Sequence, residues 1–132
     1  MPSDKPTRRL EDIIENAHTI QRYVAGMDLT AFRKDQKTYD AVERCLERIS
    51  EAAAKLGDLA PSLVPGQPWQ EIRALGNRLR HEYDAIREDR LWDIVQIDLP
   101  PLCAACEDAL RRLSGLVDQD ATDQDATLDI IW

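Results

Sequence analysis

The stretch VERCLERISEAAAKLG, residues 42–57, decides the fold. Val42, Cys45, Leu46, Ile49, Ala52, Ala53 and Leu56 recur at steps of three and four, the period of one helix face. Glu43, Arg44, Glu47, Arg48, Glu51 and Lys55 fill the opposite face, with Glu51 and Lys55 spaced as a favourable i,i+4 ion pair. Gly57 stands where a helix commonly ends on a residue of positive φ. Nothing in the stretch alternates with the two-residue period of a strand.

The same period extends in both directions. Upstream, Leu10, Ile13, Ile14, Ala17, Ile20 and Val24 form a stripe that ends near Gly26. Asp28, Leu29 and Thr30 break the pattern, with Thr30 expected to cap a short turn carrying Phe32. Downstream, Pro61, Pro65, Gly66 and Pro68 make residues 58–68 a connection, and Pro68 suits the first turn of the next helix. That helix carries Trp69, Ile72, Leu75, Leu79 and Tyr83. A second break falls at Arg87, Glu88 and Asp89, with Asp89 as its cap. The last stripe runs Leu91, Trp92, Val95, Leu99, Leu102, Cys106, Ala109, Leu110, Leu113 and Leu116, with a kink expected at Pro100 and Pro101. The expected fold is all-α: an antiparallel bundle of four to five helices over residues 1–117. Val42, Leu46, Ile49, Ile72, Leu79, Val95 and Leu113 are its expected core. Residues 118–132 hold two copies of Asp-Gln-Asp-Ala-Thr, an acidic tail expected to be flexible or docked by Leu128, Ile130, Ile131 and Trp132.

Composition narrows the function. A chain of 132 residues suits one domain. Apolar residues at 43% and charged residues at 32% mark globular material, and 5% aromatics with five glycines argue against a β-sandwich or barrel. No segment has the eighteen or so apolar residues of a spanning helix, so no membrane role is expected. Met1 to Leu10 shows basic residues without an apolar stretch behind them, and the cysteines number three. The expectation is therefore a cytoplasmic protein with free thiols. Net charge is −8; of the 25 acids, five follow residue 117, which leaves 20 against 17 bases. Bulk charge does not attract nucleic acid here, so any RNA contact has to come from the local cluster Arg73, Arg78, Arg80, Arg87 and Arg90.

Cys103 and Cys106 have redox-motif spacing but lie inside a helical stripe, without a preceding strand or a second pair, and read as packing thiols. His18 reads as an exposed or hydrogen-bonded histidine. No phosphate loop, zinc-protease helix or nucleophile elbow is present, and neither cofactor nor metal is expected. The informative stretch is LGNRLRHEYD, residues 75–84. On a helix Asn77 and His81 lie one turn apart and share a face with Arg73, with Arg78 on the neighbouring flank. A neutral imidazole can take the proton of a ribose 2′-OH, while arginine stabilises charge developing on the phosphate, without a metal. A solvated basic helix face is the other reading of the same residues.

The order of landmarks resembles the HepT-like toxins of the HEPN superfamily. The resemblance spans about Leu10 to Leu116. It is carried by Phe32 to Asp35, Tyr39 to Val42, Ile49 to Ala53, Pro68 to Ile72, Asn77 to Tyr83, Leu91-Trp92 and Asp98 to Pro100. It implies a homodimeric helical bundle with active sites near the dimer interface and metal-independent ribonuclease activity on an RNA substrate. A MntA-type nucleotidyltransferase antitoxin is the implied partner. It also implies His81 as catalytic histidine, Asn77 as its polar companion, and Tyr83 as the tyrosine that the partner adenylylates. The family signature places arginine just before the asparagine. Here that position is Gly76, and the longer spacings fall on Leu75 and Ala74. Arg78 and Arg80 are then the candidates to hold phosphate. A glycine inside a helix answers a packing or close-approach need. Two functions stay open: a ribonuclease using Arg78 or Arg80, and a non-catalytic module that docks the nucleotidyltransferase.

Overall fold

The computed structural model describes residues 5–81 and 88–117, with His81, Leu116 and Val117 as backbone only. Four long helices, α1 (Pro6–Val24), α3 (Gln36–Leu56), α5 (Trp69–His81) and α7 (Leu99–Val117), follow the four main apolar stripes. Three short ones, α2 (Leu29–Lys34), α4 (Leu59–Leu63) and α6 (Glu88–Asp93), serve as connectors. There is no strand among the described residues, and none of the helices is long and apolar enough to cross a membrane. The tail from residue 118 and the stretch 82–87 lie outside the described residues.

Helix α3 packs on α1 along one side and on α5 along another, and α1 also packs on α7. Arg73 of α5 reaches Gly57 at the end of α3, while Ser50, earlier on α3, meets Gly76, later on α5. The two helices therefore run antiparallel. Helices α1 and α7 do likewise: Val24 and Pro100 border one cavity, whereas His18 meets Glu107. Leu10, Ile13, Ala17 and Ile20 from α1 and Val42, Leu46, Ile49 and Ala53 from α3 are sealed in the core. Phe32, fully buried, stacks at an angle on Tyr39 (5.9 Å between centroids) and Trp92 (5.1 Å). These three of the chain's seven aromatic residues tie α2 to α3 and α6.

Local chemistry differs from expectation at three helix boundaries. The cap of α2 is Asp28, whose carboxylate accepts the Ala31 N–H at 2.8 Å, so Thr30 falls inside the helix. Asp35 caps α3 by accepting the Thr38 N–H and hydroxyl, and these bonds hold its pKa below the ordinary value. Asp89 lies within the first turn of α6 rather than before it. The expected break at Pro100 and Pro101 begins earlier, as a π-helical turn at Ile94–Asp98 in which Leu99 N–H donates to the Ile94 carbonyl. The prolines then follow directly in the first turn of α7, and neither can donate an N–H to the carbonyls of the turn before them. Gly57 has φ +57° and donates to Ala53, as its place in the stripe requires.

Val42, Leu46, Ile49 and Val95 are buried as expected, but Ile72, Leu79 and Leu113 are only half-buried. Helix α5 rests on α3 and leaves its other flank facing a groove, which Ile72 lines.

Gly76 sets how closely α5 approaches α3. The Ser50 hydroxyl donates to the Arg73 carbonyl (3.0 Å) and accepts from Gly76 N–H (3.0 Å). A Cβ at Gly76 would overlap the Ser50 hydroxyl oxygen and lie 2.5 Å from Ser50 Cβ, inside any tolerable contact. Gly76→Ala is expected to destabilise the fold by about 1–3 kcal/mol, the range of overpacked cores. In a Ser50→Gly background the same substitution should lose less, with a coupling of roughly 0.5–3 kcal/mol between neighbours. Urea midpoints of the four proteins check this; equal losses in both backgrounds would contradict the close approach.

Candidate functional site

Helix α5 forms because Trp69, Leu75 and their neighbours bury one face while its polar residues face out. Trp69 is anchored by its indole N–H, which donates to the Val64 carbonyl at 2.9 Å in the interior. The helix carries Asn77, Arg78 and Arg80, and its described residues run to His81. Asn77 and Arg80 are exposed, and Arg78 is half-buried. Tyr83 and Arg87 lie outside the described residues.

The basic cluster read from sequence divides into separate tasks. Arg73 is structural: its guanidinium donates to the Gly57 carbonyl at 3.4 Å, at the C-terminal end of α3 where positive charge is favoured. It does not join the others on a free face. Arg78 lines a groove of about 550 Å³, together with Arg90 from α6. Leu46, Ile49, Leu75, Leu99 and Leu102 give that groove an apolar floor, and Glu71 and Asp98 stand on its walls. Two guanidinium groups over an apolar floor can hold a phosphate by bidentate hydrogen bonds while a flat organic group rests beside it. Arg80 turns back along α5. Its Nη1 lies 3.3 Å from the place a Gly76 Cβ would take. A guanidinium therefore lies beside Gly76, although residue 76 itself has no side chain.

Sequence reasoning did not find Ser50, whose hydroxyl fills the space against Gly76. The small residues of Ile49 to Ala53 were the available signal. Asp98 and Glu71 were also missed as groove residues, because only the packing of α5 beside the π-helical turn brings them together.

The remaining candidates behave as packing and surface groups. Cys45, Cys103 and Cys106 are free and buried. Burial, with Glu107 adding to it, pushes the Cys103 thiol up to about 11; burial, then Cys103 and Glu107, pushes Cys106 up to about 12. Such thiols are not nucleophiles at neutral pH. His18 is hydrogen-bonded: its Nε2 lies 3.1 Å from Glu107 Oε2 across α1 and α7.

A family profile described as Ribonuclease HepT-like matches residues 13–109. A Methanocaldococcus jannaschii protein named a candidate RNase is 33% identical over 115 residues, covering 87% of this chain and 95% of its own length. A Thermococcus cleftensis protein named a probable ribonuclease HepT is 34% identical over 93 residues, 70% of this chain and 84% of its own. No solved structure gives a significant match.

The buried thiols give a direct check. With a disulfide-exchange dye at pH 8, the native protein should react far more slowly than the same protein in guanidinium, where all three cysteines titrate. Rapid native reaction, or a Cys103–Cys106 disulfide in mass spectra, would contradict their burial.

Proposed function

We propose, from the premise that this chain belongs to the HepT-like ribonuclease family, that it is the toxin of a toxin–antitoxin pair and cleaves RNA without a metal. His81 exchanges the proton of the ribose 2′-OH. Asn77 orients the imidazole or the ribose, and Arg78 and Arg80 hold phosphate and stabilise the charge that develops on it. The observation that carries this reading is the position of Arg80, whose guanidinium lies 3.3 Å from the Gly76 Cβ site, beside the sequence position that the family signature gives to arginine. A two-fold pairing of chains completes the site, since an isologous interface presents each arginine twice at one shared cleft. The control point is Tyr83, adenylylated by a MntA-type nucleotidyltransferase; the added phosphate, near Arg80 and Arg87 in sequence, competes with RNA for them.

One observation favours a second reading. The space against Gly76 is filled by Ser50, so an arginine side chain cannot start from residue 76. A non-catalytic module that docks the nucleotidyltransferase would tolerate that loss.

Cleavage assays separate the two. The purified protein should cut RNA in the presence of EDTA, and His81→Ala should lose roughly 10² to 10⁴ in rate. Wild-type protein that leaves RNA intact, or that cuts only with a divalent metal, would overturn the catalytic reading. For control, co-expression with the cognate nucleotidyltransferase should add AMP to the intact mass, and Tyr83→Phe should remove it. A tight complex of unmodified chains would instead mean inhibition by binding alone.

A further inference from the structure

Away from α5, three side chains of different ligand chemistry converge. Cys103 and Glu107 are one turn apart on α7, so their side chains share a face. His18 approaches from α1, which packs antiparallel against α7. His18 Nε2, Cys103 Sγ and a Glu107 carboxylate oxygen all lie within 4.8 Å of one another. Cys103 is 5% exposed and forms the base of the cluster, while the His18 and Glu107 side chains are 47% and 38% exposed and form its open rim. A tetrahedral zinc ion, with bonds of about 2.0–2.3 Å, sets its ligand atoms roughly 3.3–3.8 Å apart. The observed spacing reaches that by small side-chain rotations, because the two helices already hold the groups together.

We propose that His18, Cys103 and Glu107 form a binding site for a divalent cation of borderline softness, Zn²⁺, that clamps α1 to α7. The mixed nitrogen, sulfur and oxygen donors select such an ion over Mg²⁺ or Ca²⁺, which prefer oxygen alone. Cys103 binds as thiolate, its proton passing to solvent. A water molecule takes the fourth position at the rim. The ion stabilises the fold, because it binds three groups that come together only in the native state. It is independent of RNA cleavage, whose candidate residues lie on α5.

The test uses the full-length protein, stripped with chelator and titrated with Zn²⁺ and, as a spectroscopic probe, Co²⁺. The expected result is one Zn²⁺ per chain, a Zn²⁺-dependent rise in Tm, and a thiolate-to-cobalt charge-transfer band. His18→Gln and Glu107→Gln alter exposed groups and should keep the helical circular dichroism. Each should weaken Zn²⁺ binding at least about tenfold and abolish the Tm rise. Cys103→Ser should remove the charge-transfer band. Failure of the stripped protein to bind Zn²⁺ at micromolar concentration would overturn the proposal. So would Zn²⁺ binding that His18→Gln leaves unchanged, which would place the ion elsewhere.

Discussion

The Ser50 hydroxyl stands between two helices and uses both of its hydrogen-bonding roles there, donating to the Arg73 carbonyl and accepting from Gly76. A buried hydroxyl without partners would be costly, so this pairing fixes the register of α5 on α3 as well as their distance. Everything that α5 presents depends on that register. Arg73 is placed at the end of α3, where it binds the Gly57 carbonyl. Two turns on, Arg80 lies along the bare backbone of Gly76, and Arg78 is directed to the groove. Glycine in a helix interior loses about 1 kcal/mol against alanine, and here the close approach of α3 explains why it is kept.

The same contact accounts for the open side of the bundle. Because α5 is held against α3, its far flank borders a groove instead of a fourth packed helix, with α6, the π-helical turn and the start of α7 on the other bank. The prolines at 100 and 101 reinforce this geometry. They occupy the first turn of α7, and the wide turn before them carries Asp98 to the groove wall. Two arginines and two acids around an apolar floor make a surface of mixed charge in a chain whose net charge is −8. In the proposed reading, a phosphate there would be held by local guanidinium geometry and not by long-range attraction.

Much of this was legible in the sequence, for a physical reason. The stripes of α1, α3 and α7 are long, and each buries one continuous face, so periodicity alone locates them. Gly76 was legible as a close-approach position because few other reasons keep glycine inside a helix. Its partner was not, since Ser50 is 26 residues away and carries no periodic signal. Thr30 and Asp28 are both good caps, and only the backbone shows that the aspartate holds the Ala31 N–H. Ile72 and Leu79 belong to an apolar stripe, yet the stripe says nothing of how much of it a neighbour covers. Arg73 shares a helix face with Asn77 by spacing, but a carbonyl at the end of another helix claims it. The meeting of His18 with Glu107 was out of reach, because 89 residues separate them.

In the proposed reading, a guanidinium reaching back from Arg80 does the work of an arginine that residue 76 cannot provide. Single-turnover RNA cleavage by Arg80→Ala and Arg80→Lys, beside the wild-type protein and with helical content confirmed, tests it most directly. The expected result is a loss of roughly 10² to 10³ in the cleavage step for Arg80→Ala, the scale of removing one oxyanion-stabilising donor, with partial recovery in Arg80→Lys. An Arg80→Ala protein that cleaves at the wild-type rate would contradict it.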